Sequence, residues 1–429
     1  MAKLAICGGE KAVKGYPAPD KVVAQMTEEM VALAGDLIRK REISGSSMVQ
    51  EFEKEWANFL GVKYCLAQNN GTSTLFAAYF ATIQEPGDEV ITPVHTWHLG
   101  VTPIIAAGGI PVFCDVDPLT LCIDPAKIEA LITERTRAIS VTHVYGHPAD
   151  MDPILAIAKR HNLAVIEDAS HAHGAEYKGR KIGSLGDIGC FSLQGSKLMT
   201  GGEAGLFSTN NTRYYEQAVM LGHYERMPDM TLPEYQHYKP GPDIPFMSLG
   251  YKFRVHPVAI AIAKVEFKYL EYRNTLQMKS CDYISRGLNE IDGFAGAYIA
   301  PYATRVAWLN FLVRFNPDYF DGISREKIMK ALRAEGVEAE PGRPGYIPLH
   351  LHPLVQEYCS GKKDTPWKRV NAGRKIEYHK GDFPVAEQRG KERIAIAPFR
   401  NVVFDKSILD QYLEAFRKVS RYKDELRNI

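Results

Sequence analysis

From Tyr64 to Glu167 the chain repeats one pattern, and it restricts the fold more than any other feature. Short, nearly continuous apolar runs alternate with longer amphipathic or alanine-rich segments. The spacing predicts strands at Tyr64-Cys-Leu-Ala67, Glu89-Val-Ile-Thr92, Pro111-Val-Phe-Cys-Asp-Val116, Ala138-Ile-Ser-Val-Thr142 and Leu163-Ala-Val-Ile-Glu167. It predicts helices over 74–81, 100–107, 125–132 and 153–161 between them. Strands that are apolar throughout need cover on both faces, and crossover helices supply it. The expected fold class is therefore α/β, a three-layer α/β/α domain around a mostly parallel sheet. Ligands of such sheets sit beyond the carboxyl ends of the strands. Asp168 follows the last of these strands, where a functional carboxylate is expected.

The flanking sequence has a different rhythm. Val22 to Arg41 and Glu51 to Leu60 carry apolar residues at helical spacing, which predicts two surface helices after an N-terminal arm. From Thr209 to Pro245 the chain is polar and rich in Tyr, His and Pro, with a long loop expected over Arg226 to Pro242. A long helix is expected from Pro257 to Leu288, then a strand at Val306 to Phe315, a helix at Ser324 to Gly336, a strand at Glu392 to Ala397 and a final amphipathic helix at Lys406 to Arg421. This divides the chain into an arm (1–20), a large domain (21–270) and a smaller C-terminal α+β domain (271–429).

With 429 residues, 45% of them hydrophobic and 24% charged, the chain suits two or three packed domains large enough to bury a cofactor. Lys and Arg number 52 against 51 Asp and Glu, so no basic excess argues for nucleic acid or an anionic membrane. Seven scattered cysteines form no CxxC pair, which suits reduced thiols in a cytoplasmic protein. The N-terminus lacks the pattern of a signal peptide, and no run of roughly 18 or more apolar residues predicts a membrane span.

One lysine stands among glycines after a short apolar run, Lys197 in Gly183-SLGDIGCFSLQGSKLMTGGEA-Gly205. Held by backbone, its amine is free for carbonyl chemistry, such as a Schiff base with pyridoxal phosphate. Taken alone, such a loop is more often a plain surface turn. Pyridoxal chemistry further needs a carboxylate at the ring nitrogen, a phosphate cradle, a surface for the ring and a partner for the ring hydroxyl. Asp168 suits the first, although strand-end aspartates commonly cap turns. Gly71, Thr72 and Ser73 open a helix directly after a strand, a place for a phosphate or for an ordinary helix cap. Ser192 could add a hydroxyl, Trp97 a stacking face and His171 a hydroxyl partner, each with a purely structural reading beside it. The pairs His143/His147 and His350/His352 lack the helical spacing of metal ligands, so no metal is expected, and neither GxxxxGK[ST] nor a strand-following GxGxxG is present.

Together the segments NGTST, PVFCDVD, YGHPADMD, VIEDASHAHGA, CFSLQGSKLMTGGEAG, GYKFRV and YIPLH, in this order, resemble the sugar aminotransferases of the DegT/DnrJ/StrS type, of the aspartate aminotransferase fold (pyridoxal phosphate fold type I). The resemblance covers nearly the whole chain. It implies that Lys197 carries the cofactor as an internal aldimine and moves the substrate proton, that Asp168 pairs with the pyridinium, and that His171 sits near the ring hydroxyl. It implies Trp97 as the stacking aromatic and Thr72, Ser73 and Ser192 as phosphate ligands. It also implies a homodimer whose subunits share active sites through a GxNxR pattern. Here that pattern reads Gly250-Tyr-Lys252-Phe-Arg254, with Lys252 in place of Asn. Tyr346, His350 and Arg254 fall where the resemblance puts the substrate.

The expected activity is transfer of an amino group from glutamate or glutamine to a keto-sugar or keto-cyclitol, with pyridoxamine phosphate as the half-reaction form. The block around Lys197 and the SHAH after Asp168 look closer to members acting on keto-cyclitols or making aminated aromatic precursors than to those acting on nucleotide-linked sugars. A dehydratase, whose relatives often carry His in place of the lysine, and a regulatory relative without turnover are the alternatives.

Overall fold

Asp20, Ser46 and Asn70 each precede a predicted helix, and each does what its side chain suits: its oxygen accepts a backbone N–H of the first helical turn. The helices that follow are α1 (Lys21–Lys40), α2 (Ser47–Leu60) and α3 (Gly71–Thr82). The computed structural model describes residues 3–239, 241, 249–340, 348–359, 377–396 and 399–428.

Seven strands form the central sheet: β1 (Tyr64–Gln68), β2 (Glu89–Pro93), β3 (Ile110–Cys114), β4 (Thr136–Thr142), β5 (Ala164–Asp168), β6 (Ile188–Ser192) and β7 (Gly205–Thr209), in the order β1-β7-β6-β5-β4-β2-β3. All pairs from β3 to β6 are parallel, as the alternating pattern requires. The segment 193–204 carries no helix to make a crossover, so β7 returns antiparallel to β6 and then pairs with β1.

Successive strand residues serve opposite faces. Ala138, Ile166 and Ile188 face a core with Leu75 and Tyr79 of α3, whereas Ile139, Val165 and Phe191 face one with Phe52 and Trp56 of α2. The sheet is thus covered on both sides. Helix α3 is apolar all round because α4 (Thr212–Gly222) covers its outer side.

The predicted helix over 257–288 is interrupted at Tyr269 (φ −105°, ψ 2°), giving α5 (Pro257–Lys268) and α6 (Leu270–Leu288). Helix α5 packs on α1 and α2, while α6 packs into a second core. That core surrounds a four-stranded antiparallel sheet of β8 (Phe294–Ala295), β9 (Phe311–Phe315), β10 (Ala339–Glu340) and β11 (Arg393–Ile396), ordered β8-β9-β11-β10. Helices α7 (Arg325–Ala334) and α8 (Lys406–Arg421) cover it, and Leu4 and Val13 of the N-terminal arm are buried in it. The expected strand over 306–315 therefore begins only at Phe311, and the one expected over 392–397 is described from Arg393 to Ile396.

The polar stretch after α4 is not one open loop. Two 3-10 turns, Tyr224–Asp229 and Pro233–Tyr238, are joined by a linker that the buried Glu216 carboxylate holds through Thr231 and the Leu232 N–H. Most of the expected loop beyond residue 239 lies outside the described residues. No helix among the described residues is long and apolar enough to cross a membrane.

Candidate active site

Asp168 is the last residue of β5, in register with Thr142 of β4 and Cys190 of β6. Its side chain is 6% exposed, and its Oδ1 accepts the Ser170 N–H at 3.2 Å. Glu167 points to the other face. There it meets His143 Nε2 at 3.1 Å and accepts the N–H groups of Gly183, Leu185 and Gly186 at 2.7–2.8 Å. Burial alone would raise the Glu167 pKa, but the His143 hydrogen bond and charge, with these backbone donors, hold it below its ordinary value. His143 in turn donates its backbone N–H to the Asp168 carbonyl at 3.1 Å. The carboxyl end of β5 is thereby anchored from behind.

Lys197 lies in the 193–204 connection between β6 and β7. The Leu193 N–H bonds to the Ala204 carbonyl and the Gly201 N–H to the Leu193 carbonyl, closing the loop, and the Lys197 N–H bonds to the Gln194 carbonyl at 2.8 Å. Leu198 and Met199 are buried beneath it. Two arginines hold its outer side. Arg400 Nη1 donates to the Ser196 and Lys197 carbonyls at 3.2 and 3.1 Å, and Arg273 Nη2 donates to the Leu198 carbonyl at 2.9 Å.

These two strand ends and the N-terminus of α3 enclose a cavity of about 630 Å³. Lys197, Asp168, His171, Ser192, Thr72 and Trp97 line it, and Gly71 adds backbone. Gly71 must be glycine for room: a Cβ there would lie 2.5 Å from Ser192 Cβ. The first turn of α3 is thus pressed against the end of β6, with the positive end of its dipole at the cavity wall. His171 Nδ1 accepts the Tyr145 N–H at 3.3 Å, which assigns the ring proton of a neutral His171 to Nε2. Tyr145 makes that bond from a left-handed conformation (φ 56°), followed by Gly146, where a Cβ would meet the Ala307 carbonyl oxygen at 1.6 Å. The donor set fits pyridoxal phosphate: an amine, a buried carboxylate, an imidazole and an aromatic face, with hydroxyls at a helix N-terminus for the phosphate.

Of the other expected residues that are described, Ser73, Lys252, Arg254 and His350 do not line this cavity. Ser73 donates its hydroxyl to the Asn70 carbonyl at 2.7 Å, within the first turn of α3. Lys252 is exposed, and Arg254 lies 3.8 Å from Glu225 with its guanidinium over the Tyr224 ring. His350 is buried, its Nε2 2.9 Å from Glu387 Oε1. Tyr346 lies outside the described residues.

Sequence reasoning passed over Ser170, Gln194 and Glu203, which also line the cavity, as does the helix-capping Asn70. Their signal was position, since Ser170 adjoins His171, and Gln194 and Glu203 fall in the glycine-rich block around Lys197. Arg273 and Arg400 gave no signal, being remote in sequence from the loop they hold.

The profile of the DegT/DnrJ/EryC1/StrS aminotransferase family matches residues 24–379. The L-glutamine:scyllo-inosose aminotransferase of Streptomyces griseus is 30% identical over 425 residues, spanning 97% of each chain. The GDP-perosamine synthase of Caulobacter vibrioides is 36% identical over 308 residues, 71% of this chain and 78% of its own. Among solved structures, DesV of S. venezuelae superposes with a TM-score of 0.76 at 25% identity, covering 95% of this chain and 99% of that one. The expected aspartate aminotransferase-like fold, fold type I, is the one observed. The chain belongs to the DegT/DnrJ/EryC1/StrS aminotransferase family and is a pyridoxal-phosphate-dependent aminotransferase.

Proposed function

We propose that this enzyme moves an amino group from L-glutamine, with glutamate as the other candidate donor, to the ketone of a cyclitol. The observation that carries the chemistry is the meeting of Lys197, Asp168 and His171 in one cavity at the carboxyl edge of the sheet. Similarity to a relative named for L-glutamine and scyllo-inosose, over nearly the full length of both chains, supports the donor and the acceptor class.

Bound pyridoxal phosphate supplies an aldehyde that accepts an amino group and a ring that draws electrons from the substrate carbon. Lys197 Nζ would hold the cofactor by its aldehyde and would move the proton at the substrate carbon. The Asp168 carboxylate would keep the ring nitrogen protonated, and His171 Nε2 would be the donor for the ring oxygen. Thr72, Ser192 and the N-terminus of α3 would hold the phosphate, and Trp97 would cover the ring face. The working unit is a cytoplasmic homodimer in which the segment carrying exposed Lys252 and half-buried Arg254 reaches the neighbouring subunit's site, Lys252 acting there as a point charge.

Similarity to a relative named for a GDP-linked product favours a second reading, with a nucleotide-linked keto-sugar as acceptor. Difference spectra of the holoenzyme separate the two. L-glutamine should discharge the visible cofactor band and scyllo-inosose restore it. Restoration by nucleotide-linked keto-sugars alone would reverse the choice of acceptor, and a band that no amino donor discharges would remove the transferase reading. Lys197→Ala should bind the cofactor but fail to turn over; retained turnover would end the role given to Lys197.

A further inference from the structure

A second cavity, of about 850 Å³, lies where Pro118 and Leu119 meet the small sheet. Arg314 and Arg393 form part of its wall, and they stand directly opposite each other in the antiparallel pair β9–β11. Residues so paired hold their Cβ atoms roughly 5 Å apart, and like charges there weaken a sheet. The adjacent register pair, Val313 and Ile394, is fully buried in the small core, so alternation turns both arginines to the opposite face, toward the cavity.

Their partners do not offset the charge. Arg314 Nε donates to the Gly296 carbonyl at 3.0 Å, and Arg393 donates to the carbonyls of Glu392 at 3.3 Å and Pro118 at 2.9 Å. Among the described residues neither arginine forms an ion pair. The adjacent acid, Glu392, already pairs with Arg389 at 2.6 Å and accepts Gln388 Nε2 at 3.2 Å. Arg393 is only 6% exposed, and burial, followed by the Arg314 charge, pushes its pKa down to about 10. Arg393 is buried and Arg314 half-buried beside it; among the described residues both hydrogen-bond only to carbonyls, and the acids nearby, Glu392 and Asp117 acting on Arg393 and Asp318 on the cavity wall, form no ion pair with either.

We propose that Arg314 and Arg393 form a binding site for a small oxyanion, a phosphate or a carboxylate, taken from solution into this cavity. The planar forks of two arginines match the geometry of such an anion. No described residue lines both this cavity and the one containing Lys197, so the anion is a ligand apart from the reacting groups.

The test titrates the holoenzyme separately with inorganic phosphate and with succinate, at ionic strength held constant with chloride. It reads unfolding temperature and calorimetric heat. At least one anion should raise the unfolding temperature saturably, and the one acting at lower concentration identifies the source as phosphate or carboxylate. Arg314→Gln should weaken that binding by about tenfold or more, the loss expected for a charged hydrogen bond. Arg314→Glu places a carboxylate inside the pair; it should abolish the response and unfold no lower than wild type in chloride alone. The site is rejected if neither anion acts beyond chloride, if both variants keep the response, or if Arg314→Glu lowers the unfolding temperature in chloride.

Discussion

Gly71 and Asp168 serve the cavity by opposite means, one by having no side chain and the other by having a charged one. At Gly71 the backbone of α3 approaches Ser192 so closely that even a methyl group meets both Cβ and Cα, at 2.5 and 2.8 Å. Its φ is unremarkable, so the requirement is for space and not for a left-handed turn. Gly71→Ala should force the first turn of α3 away from β6, at about 1–3 kcal/mol, a range typical of overpacking. Because that turn is assigned to the phosphate, the cost should appear mainly as weaker binding of pyridoxal phosphate, read from recovery of the visible band as cofactor is added back. Unchanged affinity would place the phosphate elsewhere. At Asp168 the sequence marked the place, a carboxylate at the end of a buried strand, but not the choice between a turn cap and a ligand, which its company in one cavity with Lys197 and His171 favours. Ser73 shows the opposite case. Its type and place suited a phosphate ligand, but an N-terminal serine is equally able to bond its own helix, and here its hydroxyl bonds the Asn70 carbonyl.

Most elements could be read from the sequence because their ends carry chemical signals. Asp20, Ser46, Asn70, Ser324 and Asp405 all cap the helix that follows, and the expected helix at Lys406 to Arg421 is the one that forms. The break at Tyr269 could not be read, because neither proline nor glycine marks it. It follows from packing, since α5 lies on α1 and α2 whereas α6 must reach the small core. That turn also places Arg273 beside Glu266 and under the Leu198 carbonyl. Arg400 completes the clamp from a turn between β11 and α8, with a further bond from Nη2 to the Leu309 carbonyl at 3.4 Å. One guanidinium thus ties the loop of the reactive lysine to the segment that leads into β9. Arg400→Lys keeps the charge but cannot reach the carbonyls of 196, 197 and 309 together. Losing those bonds should cost about 1–3 kcal/mol. Felt at the transition state, that is roughly a 10- to 100-fold drop in kcat. The unfolding temperature should move little. A kcat equal to that of wild type would show that the clamp does not position Lys197.

At the scale of the whole molecule, the strands of the large sheet are apolar enough to enclose histidines as well as aliphatic residues. His95, His147, His173 and His223 are all buried, and burial is the leading reason their pKa values fall from 6.5 to about 4, 4, 3 and 3. At His173 the positive charge of Lys197 adds to the effect. The composition gives thirteen histidines without distinguishing these four, because burial is decided by the fold and not by the residue. The sign of the consequence is fixed. Between pH 6.5 and about 4 the unfolded chain protonates these rings and the folded chain does not, so stability is full above pH 6.5 and falls as the pH drops. Each fully shifted ring contributes ~1.4 kcal/mol per pH unit, so the four together approach ~5 kcal/mol per unit below pH 6. Denaturant midpoints of the holoenzyme at saturating cofactor should therefore be level from pH 8 to 7 and decline steeply by pH 5, before the carboxylates titrate. His223 Nε2 donates one hydrogen bond to the Ala67 carbonyl, 3.1 Å away, and lies outside the Lys197 cavity. His223→Gln should shift the whole curve down yet make its acid limb shallower by one proton's worth. A limb of unchanged slope would mean that His223 titrates alike in the folded and unfolded chains, and level stability down to pH 5 would mean the same of all four.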